Sequence, residues 1–191
     1  MMRRFPTTCR LAFICMLFAG AVAPVGLVHA QDPNTPAFDA QAFAPAEQDI
    51  GEFPHVSIPA GFRDGGAKRL SLAEKYVFPK GELHVATGAY WHADIFADGG
   101  EWNELLFLRG IEQQITSMGG HRVFDGSMPE AGRKMIDENA PAFVRDLYDP
   151  APYRFRQFLI HAEDRLIWIE IGYGYNAEMI DLTVVEEEIA T

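Results

Sequence analysis

The chain has 191 residues, with 16 Lys and Arg against 27 Asp and Glu and a formal net charge of −11. A balance this acidic repels the phosphates of nucleic acids and of anionic membrane surfaces, so neither is expected as a partner. Both cysteines, Cys9 and Cys15, fall before Ala30, which excludes a disulfide framework for everything after it.

Residues 1–30 read as a secretory signal peptide: Arg3, Arg4 and Arg10, an apolar run from Leu11 to Leu27, then Val28-His29-Ala30 with small residues at the cleavage positions. Pro24 and Gly26 break the apolar run, which argues against a retained anchor. Cleavage after Ala30 removes three basic residues and no acidic ones, and leaves no integral membrane segment. The expected location is periplasmic or secreted. Residues 31–49 carry Pro33, Pro36 and Pro45 with only Phe38 and Phe43 as large apolar groups, the composition of a flexible tether.

Residues 50–191 have the size of one domain. Leu70 to Phe78 and Glu82 to Phe96 read as strands joined at Pro79-Lys80-Gly81. In the second, Trp91, Ala93 and Ile95 share one face, and Tyr90 and His92 share the other, partly wet one. Asp98 and Glu101 form a plausible capping pair for a helix that runs to Met118 and stops at Gly119-Gly120. Leu105, Leu108, Ile111 and Ile115 give that helix its apolar stripe. His121 to Phe124 reads as a short strand. Ser127 and Glu130 then open a helical excursion that Pro141 divides in two. Tyr153 to His161 and Arg165 to Tyr173 form a hairpin, and Met179 to Glu186 is the last strand. The order implies an α+β fold: a largely antiparallel sheet covered by one principal helix, with a short helical excursion before the C-terminal strands.

Six segments in this order carry a resemblance: Ile58-Pro59-Ala60-Gly61-Phe62; Gly88-Ala89-Tyr90-Trp91; Glu104-Leu105 through Arg109-Gly110-Ile111-Glu112; Gly119-Gly120; Leu166 to Glu170; and Leu182 to Glu187. Together they resemble the N-terminal module that precedes the peptidoglycan-binding domain in certain OmpA-family envelope proteins of Gram-negative bacteria. The resemblance covers nearly all of 58–188 and implies an envelope location and an α+β fold. It brings no catalytic residues, and glycan binding belongs to the peptidoglycan-binding domain, which this sequence lacks. The sequence departs from the pattern in having no lipidation cysteine, in Gly110-Ile111 where Asn-Tyr is expected, and in the excursion over 126–152.

No catalytic or cofactor signature is present. His84 and His92 share a strand face but stand eight residues apart, too far to ligate one ion together, and no His-x-His or His-Glu-x-x-His appears; neither a metal nor a cofactor is implied. Gly-x-Ser-x-Gly is absent. Glu170, inside the apolar stretch Leu166 to Ile171, is the best prospect for a perturbed carboxyl, with a partner in Arg154 or Arg156 as the plainer account. Glu186-Glu187-Glu188 reads as a solvated strand end. The expected function is therefore a non-enzymatic binding module of the envelope, with an envelope protein or glycan as partner. The rival is a small periplasmic hydrolase using Glu170 or His161. Exposed apolar groups mark interfaces, which points to Phe143, Leu147 and Tyr148 of the excursion, beside Tyr90 and His92, as the binding surface.

Overall fold

The computed structural model describes residues 38–130, 132–134, 154–174 and 178–189. Phe143, Leu147 and Tyr148, the expected signal peptide over 1–30 and most of the expected excursion over 126–152 lie outside them. The architecture is mixed, a large antiparallel sheet with few helices. Its strands are β1 (Phe62–Asp64), β2 (Lys68–Val77), β3 (His84–Ala97), β4 (His121–Gly126), β5 (Arg154–His161), β6 (Arg165–Tyr173) and β7 (Ile180–Glu188), with helix α1 (Glu104–Ser117) between β3 and β4. The seven-stranded sheet has the order β1-β3-β7-β6-β5-β4, with β2 also paired to β3, and every pairing is antiparallel.

One face of the sheet is sealed by α1. Phe107, Leu108, Ile111 and Ile115 of the helix pack with Ile95, Phe158, Ile160, Ile169, Leu182 and Val184 of the strands. The helix begins later than Asp98 and Glu101 suggest. Asn103 is the cap, its Oδ1 accepting from the Leu106 N–H at 3.0 Å, which satisfies a backbone donor that the first turn leaves free. Its end is where expected, at Gly119, whose φ of +79° suits glycine.

The opposite face is covered by the sheet's own β2–β3 hairpin. β3 pairs β7 over Ala89–Ile95 and β2 over His84–His92, so its first half has left β7. Gly88 permits this bend: a Cβ there would collide with the Glu186 carbonyl. The far end of the hairpin reaches β5, where the Phe78 N–H donates to Gln157 Oε1 at 2.7 Å, and β4, where Phe78 meets the Phe124 ring.

The segment expected to be a tether is part of this layer. Phe38 lies against Trp168, ring centroids 5.0 Å apart, and against His84 at 5.1 Å. Ala46 N–H donates to the His161 carbonyl at 2.7 Å. Two phenylalanines therefore suffice to dock residues 38–46, because the open sheet face offers them an apolar seat.

Candidate functional site

The sheet register assembles a polar row on the face away from α1. Thr183 of β7 stands opposite His92 of β3 on one side and Glu170 of β6 on the other, and Gln157 of β5 stands opposite Glu170. Alternate residues of a strand point to one face, so these four side chains share it with Tyr90, Leu159, Trp168 and Val185.

Lys75, brought across by the hairpin, places Nζ 2.7 Å from Glu170 Oε1; both side chains are almost wholly enclosed, 2% and 6% exposed. Gln157 Nε2 donates to the other Glu170 oxygen at 2.6 Å, while its Oε1 accepts the Phe78 N–H. Both carboxylate oxygens and both ends of the amide are thus engaged, the condition under which buried charges are tolerated. Burial pushes the Lys75 ammonium below its ordinary value, against the pull of Glu170. Glu170 therefore pairs with Lys75 rather than with Arg154 or Arg156. Those arginines turn instead to Asp125, at 2.8 and 3.1 Å, on the side of the sheet where Arg156 also reaches Glu112 of α1. At Asp125 burial acts upward, but Arg156, the Tyr173 hydroxyl and Arg154 outweigh it and hold the carboxyl below the usual range.

Further along the row, His92 Nδ1 is 3.0 Å from Thr183 Oγ1, and Nε2 is 3.4 Å from Asp94 Oδ1. Burial, then the nearby Lys75 ammonium, draws the imidazole down to about 4, so it is neutral near neutral pH. Tyr90 is fully buried, and its burial raises the phenol. Of the residues expected at the binding surface, Tyr90 is buried in the core and the His92 side chain is 14% exposed and bonded to Thr183.

The end of β7 is engaged as well. Glu187 Oε2 receives the Trp168 Nε1–H at 2.9 Å and lies 3.1 Å from His84 Nε2; Glu186 Oε2 lies 2.7 Å from His55 Nε2, and its Oε1 accepts from Arg165 at 3.0 Å. Two of the three acids expected in solvent are therefore structural partners. His161 is buried, with Nδ1 donating to the Phe43 carbonyl at 2.9 Å.

A groove of about 560 Å3 opens elsewhere, at the β1 edge, lined by Arg63, Phe96, Gly100, Glu101, Trp102 and Glu178. The Arg63 guanidinium stands over the Phe96 ring, 5.5 Å from its centroid. Sequence reading singled out none of these residues as a site. Nor did it connect Lys75 with Glu170, although Glu170 is a lone charge in an apolar run and Lys75 has the opposite sign. No helix among the described residues is long and apolar enough to cross a membrane. No protein-family model matches the chain, and no curated protein is similar enough to match it.

Proposed function

We propose that this chain is an exported protein of the periplasm or cell envelope, an α+β module with one principal helix and a helical excursion, which binds an envelope protein or glycan without catalysing a reaction on it. The observation that carries the reading is the groove at the β1 edge. It combines two aromatic rings with a guanidinium and two carboxylates in an open concavity, a lining suited to a sugar or an extended peptide. The hydrolase alternative finds less support: Glu170 and His161, the two side chains it would use, are buried, bonded to their neighbours and not part of the groove lining. Export rests on the Met1–Ala30 leader pattern.

Photo-crosslinking in intact cells tests this. A photoreactive residue at Glu101 should yield an envelope adduct that Arg63→Glu abolishes, while the same probe at Leu72, exposed but outside the groove, yields none. The crosslinked species should come from the periplasmic fraction with its mass beginning at Gln31. Equal adducts from both positions, or a cytoplasmic full-length chain, would contradict the proposal.

A further inference from the structure

A different observation lies at the end of the polar row. His92 and Asp94, two apart on β3, point to the same face, and the register sets Asp181 of β7 directly opposite Asp94. One ligand atom from each of the three side chains lies within 4.8 Å of the other two, and all three residues are half-buried. The 3.4 Å between His92 Nε2 and Asp94 Oδ1 is longer than a good hydrogen bond, about 2.7–3.2 Å. It equals the edge of a tetrahedron of donors around an ion at about 2.1 Å, the usual zinc-to-nitrogen and zinc-to-oxygen distance. Thr183 holds the other imidazole nitrogen, as outer partners of a metal-bound histidine do.

We infer that His92, Asp94 and Asp181 bind a divalent first-row transition ion of the Zn2+ type. One imidazole and two carboxylates suit such an ion better than Ca2+ or Mg2+, which take oxygen ligands throughout. Three protein ligands leave a coordination position open to water. The cationic groups near the site are Lys68, paired opposite His92 on the exposed β2 start, and Lys75, which pairs with Glu170 and also interacts with the Asp181 charge. Against these two ammoniums stand three carboxylates, Asp94, Asp181 and Glu170, so the surroundings favour an added cation. None of the three ligands lines the groove at the β1 edge, so the inference stands or falls separately from the proposed function.

The test is titration of the mature chain with ZnCl2 by calorimetry, repeated with Asp94→Asn and Asp181→Asn. One saturable site is expected, weakened at least about 10-fold by either substitution, as losses in a metal site's immediate surroundings weaken binding. Zn2+ should also raise the melting temperature of the wild-type chain and not that of Asp94→Asn. Asp94 is a half-exposed side chain, so its variant should keep the wild-type circular dichroism. Co2+ should give a d–d absorption band with the wild-type chain that both variants lose. Absence of saturable binding, or an affinity unchanged in both variants, would overturn the inference; the latter would place the ion at other histidines such as His55 or His84.

Discussion

The two faces of the sheet are stabilised by different physics. Under α1 the core is apolar throughout, from Ile95 across Leu182 and Ile169 to Phe158. Such a layer gains chiefly from burial, and the charges on its side of the sheet, Glu186 with His55 and Asp125 with Arg156, pair outside the fully buried apolar set. The other face is apolar at Trp168, Tyr90 and Leu159 but carries a buried ion pair, an amide, a threonine and a histidine between its hydrophobic clusters. The lesson is that a hairpin folding back on its own sheet can import a charge. A helix presents one amphipathic stripe, whereas β2 delivers Lys75 into the interior only because Glu170 and Gln157 are waiting for it.

The sharpest way to break this comparison is to empty one side chain from each face. Trp168→Ala should cost about 3–5 kcal/mol and Leu108→Ala about 2–5 kcal/mol in urea unfolding. Trp168 and Leu108 lie on opposite faces rather than against each other, so the double variant should be additive within about 0.5 kcal/mol. A larger coupling would mean the faces are not independent layers.

Gly88→Ala comes next, with an expected loss of about 1–3 kcal/mol, because the added methyl has to push β3 off the Glu186 carbonyl and so unseat the hairpin. Wild-type stability in this variant would remove the bend from the account. A smaller effect is expected in acid. The Asp125 carboxyl is held below its ordinary value in the folded state, so it contributes stability above that value and loses it as pH falls through the folded value. Unfolding curves measured below about pH 4 should therefore be less steep in pH for Asp125→Asn than for the wild-type chain. Smallest in energy is the docked N-terminal segment: hydrogen exchange at the Ala46 amide should be slow, since it donates to the His161 carbonyl, and free exchange there would restore the tether.

Much of the fold was legible because period and punctuation agree. Alternation in 84–96, helical spacing from Leu108 to Ile115, and Gly119 after it all find their elements, whereas Leu105, expected in the stripe, is exposed because Phe107 takes the buried place in the first turn. What was not legible depends on long-range register. The sheet turns over at Gly88, so Glu170 finds Lys75 instead of an arginine on the neighbouring strand, and Glu186 and Glu187 find His55 and His84 instead of water. Phe38 and Phe43 looked too few to order their segment because the seat they fill is built from strands far away in sequence. The His92-Ala93-Asp94 spacing was visible, but its third member comes from β7, which only the pairing reveals.

The claim that matters most is that Lys75 and Glu170 are energetically coupled inside the second face, each tolerated there only because of the other, and a double-mutant cycle on the two measures that coupling directly. Lys75→Met and Glu170→Leu should each cost about 3–5 kcal/mol, because either one strands an unpaired buried charge. The double variant should fold with a stability near the wild type, since the two apolar side chains remove both charges at once. Single costs that simply add, leaving the double variant the least stable of the four, would contradict the account.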